Sequence, residues 1–280
     1  GNEVQRRKIR SWLDEWQNGM PRKKALLLVG PPGVGKTSVA RAIAQDMGWN
    51  VIELNASDAR NAAAIRKVAT HGSTHRSLFH NPDIKKQRTL VLIDEVDHLS
   101  GGLRKVSQSR IENAMQGEDS KGNSVTLKGD SGGKAELLSL LAETRQPVIL
   151  ACNEIMGLWG SGSSWSSTRD RFTRHLQTIT FDRASNEALR RIARRVLREE
   201  QLKFDDAAIE ALVASNPGVL RALVRDLQVL SSTADGAITK EMVDSQAYAG
   251  RRDTSEGVFP GLDKLYRSND AQEAVRIGRS

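Results

Sequence analysis

The chain has 280 residues with a formal net charge of +8, and 4% of them are aromatic. This length allows one or two domains with substantial cores, and no apolar run approaches the roughly 20 residues that cross a bilayer. Cys152 is the single cysteine, so no internal disulfide can form, which fits a reducing intracellular compartment. The basic balance permits a polyanionic partner such as nucleic acid without establishing one.

An amphipathic helix is predicted first, between Glu3 and Asn18. Its apolar face consists of Ile9, Trp12, Leu13 and Trp16, which recur at helical spacing. We interpret the tryptophans as packing residues rather than as a platform for a ligand. Residues 1–24 are assigned to this N-terminal helix.

The next segment is predicted to be a strand, a glycine loop and a helix. Leu26–Val29 is the apolar strand, and the loop Gly30–Thr37 reads GPPGVGKT, which fits the pattern G-x-x-x-x-G-K-[ST]. Lys36 would neutralise the outer phosphates of a nucleotide, and the Thr37 hydroxyl would bind Mg²⁺. The residues expected to bind the phosphates are Pro32, Gly33, Val34, Gly35, Lys36, Thr37 and Ser38. Taken alone, this loop leaves kinases, G proteins and ATPases open.

A second strand is predicted at Val51–Leu54, and a third at Thr89–Ile93. The third strand runs directly into Asp94 and Glu95. Beside a phosphate loop, Asp94 would bind Mg²⁺ and Glu95 would orient or deprotonate the attacking water. An acidic helix cap is the other interpretation of such a pair, and the glycine loop favours the nucleotide site.

Residues 100–133 are rich in glycine, serine and charged residues, and we interpret them as a surface insertion. Within it, a short helix is predicted at Ser107–Met115 and a hairpin is considered around Val125–Leu127. A longer helix is predicted to follow at Lys134–Glu143.

Two further strands complete the predicted sheet. Pro147–Ala151 is followed by Asn153, whose polar side chain is a candidate to contact the γ-phosphate or the attacking water. Gln177–Phe181 comes after a predicted loop at Gly157–Ser167. Five strands alternating with helices predict an α/β fold with a parallel, doubly wound sheet and a ligand at the carboxyl ends of the strands, over residues 25–182.

The pattern after Arg183 is helical only. Ser185 is expected to cap a helix that carries several arginines, which form either a solvated surface or a phosphate-binding face. Residues 183–249 are assigned to a small all-helical domain, and residues 250–280 to a linker and the start of a further helical region.

These motifs together resemble the AAA+ ATPases and, within them, the clamp loaders of the replication factor C type. The resemblance covers nearly the whole chain. It rests on GPPGVGKTSVARAIA (30–44), VIELNASDARN (51–61), LVLIDEVD (90–97), ACNE (151–154) and PGVLRALVRDLQ (217–228). The first and third motifs occur in many AAA+ proteins, whereas the second and the last point to clamp loaders.

The resemblance implies the same roles for the glycine loop and the two carboxylates, and it adds others. Asn153 matches the first sensor of the family, and Arg221 matches the second sensor, which reaches from the helical lid to the nucleotide. Arg66 and Lys67, on a helix predicted at Ala59–Thr70, match positions that face DNA. Contacts of that kind are salt-dependent and independent of base sequence.

The function implied by the resemblance is that of the large subunit of an ATP-dependent loader, which opens a sliding clamp and places it on primer-template DNA. Its cofactors would be ATP and Mg²⁺. Its partners would be small clamp-loader subunits in a hetero-oligomer, expected to be a pentamer, together with the clamp and DNA, and no membrane. The protein would be intracellular, and cytoplasmic and nucleoid-associated if its source is archaeal.

Three departures from the family pattern qualify these expectations. The amino-terminal W-x-E-K-Y-R-P segment and the helical collar are absent from the sequence, so we expect a truncated chain. No Ser-Arg-Cys precedes the fifth strand, and Arg169, Arg171 and Arg174 do not match it clearly. This favours a large subunit that receives an arginine finger, worth about 10³ to 10⁵ in rate, and predicts weak hydrolysis by the isolated chain. The alternatives are a nucleotide-gated scaffold with little turnover, another AAA+ DNA-remodelling ATPase, or a small-molecule kinase.

Overall fold

The computed structural model describes residues 2–57, 61–74, 88–99, 102–117, 124–127, 131–160, 162–234 and 236–253. The chain divides into two compact units, residues 1–184 and 185–280, close to the boundary predicted between residues 182 and 183. Each unit is described by itself.

The first unit is built on a parallel sheet. Its strands in the described residues are β1 (Ala25–Val29), β2 (Asn50–Asn55), β3 (Thr89–Asp94), β4 (Val148–Cys152) and β5 (Leu176–Thr180). Their order in the sheet is β2-β3-β4-β1-β5, and every neighbouring pair is parallel. The predicted five-stranded parallel sheet is confirmed, and β4 lies between the strand of the glycine loop and the strand of the carboxylate pair.

Helices cover both faces of this sheet. They are α1 (Glu3–Asn18), α2 (Lys36–Asp46), α3 (Ala62–Thr74), α4 (Gln108–Gln116), α5 (Gly133–Glu143), α6 (Ile155–Trp159) and α7 (Trp165–Thr173). Because side chains alternate along a strand, Leu26 and Leu28 pack with α1 and α2, whereas Leu27 packs with α3, α5, α6 and α7. Each of these fully buried leucines stabilises the fold by about 1.5–3 kcal/mol.

The segment predicted as an insertion is partly packed against the first unit. The predicted short helix is present as α4, and its Ile111 is buried together with Leu127, Ala62 and Ala63. The structure describes only residues 124–127 of the hairpin considered around Val125–Leu127, with Ser124 as an isolated bridge residue, and the rest of that hairpin lies outside the described residues. The prediction of a loop at Gly157–Ser167 is wrong in part, because α6 ends and α7 begins inside it.

The second unit is mainly helical. It contains α8 (Asn186–Glu199), α9 (Asp206–Ser215), α10 (Leu220–Thr233) and α11 (Lys240–Asp253). The prediction of helices alone missed a parallel pair of two-residue strands, β6 (Lys203–Phe204) and β7 (Ala237–Ile238), which are too short to show an alternating pattern. The linker and further helical region predicted at residues 250–280 lie outside the described residues except for residues 250–253, which belong to α11.

Three of the arginines on α8 form ion pairs at the surface. Arg190 pairs with Glu210, Arg194 pairs with Asp206, and Arg195 pairs with Glu199. Exposed pairs of this kind contribute little to stability. They favour the interpretation of this helix face as a solvated surface.

Replacing Ser185 with alanine should destabilise α8 by about 1 kcal/mol, because the serine caps the helix. Its hydroxyl oxygen accepts a hydrogen bond from the Ala188 N–H at 3.2 Å. Hydrogen exchange of the α8 amides measures the loss locally. Ser107→Ala is the control, since Ser107 precedes α4 in a similar extended conformation without a side-chain cap hydrogen bond in the described structure. Equal losses in α8 and α4 would contradict this expectation.

Candidate nucleotide site

The glycine loop connects β1 to α2, and its backbone requires glycine at two positions. Gly33 has a φ of 74° and Gly35 has a φ of 95°, a left-handed region that side chains disfavour. Helix α2 begins at Lys36, directly after Gly35. A helix N-terminus presents unpaired N–H groups and a positive dipole end, so this loop is suited to an anion such as a phosphate.

Lys36 is the buried cation of the site, with 6% of its surface exposed. Its Nζ donates hydrogen bonds to the carbonyl oxygens of Gly30, at 2.7 Å, and Pro31, at 3.0 Å. It also donates to Oδ1 of Asn153 at 3.0 Å. A buried charge needs such partners. The structure therefore brings the predicted phosphate-binding lysine and the predicted sensor asparagine into direct contact.

Thr37 and Asp94 meet across the same site. The Thr37 hydroxyl donates to Oδ2 of Asp94 at 2.6 Å, although the two residues belong to α2 and β3. Hydroxyl and carboxylate oxygens are hard ligands of the kind that Mg²⁺ accepts beside nucleotide phosphates. The donor set thus fits a magnesium–nucleotide complex, with Lys36 and the loop N–H groups for the phosphates.

Glu95 follows Asp94 at the carboxyl end of β3 in a left-handed conformation, with a φ of 55°. Its N–H donates to Oδ1 of Asp94 at 2.9 Å, and a short 3₁₀ turn at Val96–His98 begins directly after it. For a residue with a side chain this backbone is uncommon, and such strain clusters at functional sites. The role of Glu95 toward water stays a prediction.

Asp97 is a further polar residue of the site, for which the sequence predicted no role. Its Oδ2 accepts hydrogen bonds from the backbone N–H groups of Asn153, at 3.1 Å, and Glu154, at 3.2 Å. The feature of the sequence that could have indicated a role for Asp97 is its place as the second aspartate of the DEVD run, three residues after Asp94.

Cys152 lies at the end of β4, next to Asn153, and is buried. Burial raises the pKa of its thiol to about 12, with a smaller contribution from the negative charge of Asp97. The thiol is therefore neutral at physiological pH and not an activated nucleophile. It acts as a small core residue, as its place in an apolar strand indicates.

Three further predicted site residues are carried by other helices. Arg66 on α3 forms a two-point ion pair with Glu136 on α5, in which its Nη2 lies 3.0 Å from Oε2, while Lys67 is exposed. Arg221 is exposed in the first turn of α10, in the second unit. DNA contacts by Arg66 and Lys67, and a sensor role for Arg221, stay predictions.

This arrangement defines a P-loop nucleoside triphosphatase. A phosphate loop follows β1, a carboxylate pair follows β3, and a polar residue follows the strand between them. None of the helices in the described part of the chain is long and apolar enough to cross a membrane.

Comparison with known proteins identifies the family. Residues 26–178 match the model of the AAA family, described as the ATPase family associated with various cellular activities. The chain belongs to this family of ATPases, which confirms the predicted enzyme class.

The curated relatives include the replication factor C large subunits of Halobacterium salinarum and Methanococcoides burtonii. The first is 32% identical over 99% of this chain and 49% of its own length, and the second is 29% identical over 98% and 46%. The resemblance to clamp loaders is thereby confirmed at the level of sequence similarity. The chain spans about half the length of the curated relatives it matches.

A solved structure with the same fold is the RuvB Holliday junction branch migration motor of Thermotoga maritima. Its TM-score is 0.60 at 18% identity, and the match covers 99% of this chain and 82% of that chain. A RuvB point mutant gives a TM-score of 0.61 with similar coverage. At this identity the likeness shows the fold alone.

Proposed function

We propose that this chain is the large subunit of an ATP-dependent loader that opens a ring-shaped sliding clamp and places it on primer-template DNA. Similarity to proteins named replication factor C large subunit, over 98–99% of this chain, carries the proposal. The basic net charge of +8 supports an anionic partner such as DNA. The protein would act inside the cell, where DNA replication takes place.

The site supports the ATP-dependent part of this function. Lys36 and the loop N–H groups would hold the phosphates, while Thr37 and Asp94 would hold Mg²⁺. ATP, when bound, supplies the phosphoanhydride bond that is hydrolysed. Glu95 would orient or deprotonate the water, and Asn153, already hydrogen-bonded to Lys36, would sense the terminal phosphate.

The helical unit would act as the lid of this site, with Arg221 as its sensor. Closure on ATP would place this cation near the terminal phosphate, and hydrolysis would remove the ligand that holds it there. Small subunits, in an expected pentamer, would donate an arginine finger to this site, so this chain would receive such a finger rather than donate one. Lys67 is exposed for contact with the DNA backbone, whereas Arg66 would first have to leave Glu136.

Reconstitution with small AAA+ subunits and a clamp tests the proposal. The wild-type complex should place the clamp on primed DNA with ATP, and Lys36→Ala in this subunit should abolish loading. Normal loading by the variant complex, or failure of the wild-type chain to assemble with such subunits, would contradict the proposed function. Single-turnover hydrolysis in the same complex distinguishes the proposed function from the alternative of a nucleotide-gated scaffold. In the scaffold, this site binds ATP and scarcely hydrolyses it.

A further inference from the structure

We propose that Asp97 is a positioning residue for ATP hydrolysis. Its carboxylate holds the backbone of the loop after β4 and thereby fixes the side chain of Asn153 against Lys36. The proposal rests on the ATP hydrolysis of the proposed function and not on the clamp or the DNA.

The hydrogen bonds of Asp97 extend the link between two neighbouring strands beyond their paired residues. The register of β3 with β4 ends at Ile93 and Leu150. Past this point, Oδ2 of Asp97 accepts from the N–H groups of both Asn153 and Glu154. Because both N–H groups bind the same oxygen, the peptide group between Asn153 and Glu154 is restricted in its orientation. The backbone of Asn153 is thereby held in place.

Packing fixes the position of Asp97 itself. A Cβ added to Gly157 on α6 would lie 2.6 Å from the backbone oxygen of Asp97 and 2.7 Å from its Cβ, so α6 touches this residue closely. Oδ1 of Asp97 is buried and has no hydrogen-bond partner among the described residues. Burial of a charged oxygen without a partner is unfavourable for stability, so stability alone does not explain an aspartate here.

The consequence for function follows from the chain of contacts. Asp97 holds the Asn153 backbone, and the Asn153 side chain accepts from Lys36 at 3.0 Å. Lys36 also has the carbonyls of Gly30 and Pro31 as partners, so the phosphate loop keeps its own contacts when Asp97 is removed. Loss of Asp97 should therefore displace the sensor side chain and spare nucleotide binding. Displacements of about 1 Å at a reacting centre can reduce the rate about 10²-fold.

The test compares Asp97→Ala and Asp97→Asn in the full chain, in single-turnover hydrolysis with the protein in saturating excess over ATP and with saturating Mg²⁺. Asp97→Ala should reduce the rate about 10- to 100-fold while the Kd of a fluorescent ATP analogue changes less than about 3-fold. Asp97→Asn keeps an acceptor oxygen and should restore the rate to within about 3-fold of wild type. Hydrogen exchange at the amides of Asn153 and Glu154 should rise in the alanine variant and not in the asparagine variant.

Thr144→Val is the matched control for a loss of local hydrogen bonds. The buried Thr144 hydroxyl donates to the Gln146 carbonyl and accepts from the Gln146 N–H, just before β4 and at the opposite end of that strand. This variant should lower the thermal stability and leave the hydrolysis rate unchanged.

A double variant decides whether Asp97 acts through Asn153. Because the two residues would act as one unit, Asp97→Ala should add little to the rate loss of Asn153→Ala. Additive losses, or a wild-type rate in Asp97→Ala, would overturn the proposal. Loss of the cooperative thermal transition in both Asp97→Ala and the isosteric Asp97→Leu would also overturn it, since Asp97 would then support the fold instead. None of these measurements depends on clamp loading. A failure of the proposed loader function can therefore be distinguished from a failure of the proposed role of Asp97.

Discussion

Lys36→Met should weaken ATP binding about 100- to 10,000-fold. The Nζ of Lys36 lies within 3.0 Å of three acceptors at the phosphate loop, where it would meet the phosphates as a desolvated cation. Hydrogen bonds to charged groups contribute about 1.5–3 kcal/mol each, and the loss of two corresponds to about two to four powers of ten in Kd. Titration with a fluorescent ATP analogue measures the change.

Lys24→Met is the matched control for this variant. Lys24 directly precedes β1, and its Nζ donates to the Ala142 carbonyl at 2.9 Å, so the same substitution removes the same kind of bond at the opposite end of the same strand. We expect less than a 2-fold change in Kd for Lys24→Met. Similar losses in both variants, or a Kd within 3-fold of wild type for Lys36→Met, would show that Lys36 does not bind the phosphates.

Much of the sheet could be predicted because its strands are short apolar runs that end in distinctive residues. The loop before Lys36 and the carboxylates Asp94 and Glu95 are local patterns, and each belongs to a chemistry that needs those residue types at that spacing. The prediction that β4 lies between β1 and β3 is confirmed, and this order brings Asn153 beside Lys36.

The missed features depend on residues far apart in the sequence. Asp97 binds backbone N–H groups 56 and 57 residues away, and Arg66 pairs with Glu136 across 70 residues. A backbone donor carries no side-chain signature, so the partners of Asp97 are invisible in the sequence. For Arg66 the side chain was recognised but its partner was not. The sequence of a basic helix face is the same whether its arginine binds a phosphate or a carboxylate of the same chain.

Short elements escaped prediction for a different reason. Helix α7 begins at Trp165 within a run of glycine and serine, and α6 has only five residues. The glycines and serines around the start of α7 are typical of a loop, and α6 is too short for an apolar period to appear. Packing of Phe172 and Trp159 in the core stabilises these helices, and such tertiary contacts override local propensity.

Glu95→Gln should separate ATP binding from hydrolysis. The substitution keeps the shape of the side chain but removes the carboxylate that would orient or deprotonate water, and general-base catalysis contributes about 10² to 10⁴ in rate. We expect single-turnover hydrolysis to fall by that factor while the Kd for ATP changes less than about 3-fold. Asp94 keeps its hydrogen bond from Thr37, so the predicted metal ligands are undisturbed.

Glu154→Gln is the matched control, because Glu154 is an exposed carboxylate just after β4, on the same edge of the sheet as Glu95. The same change of charge there should leave the hydrolysis rate within about 3-fold of wild type. Loss of ATP binding in Glu95→Gln would place this carboxylate on the nucleotide or metal instead of on water. Equal rate losses in the two variants would indicate that the charge of this edge, rather than a general base at Glu95, controls hydrolysis.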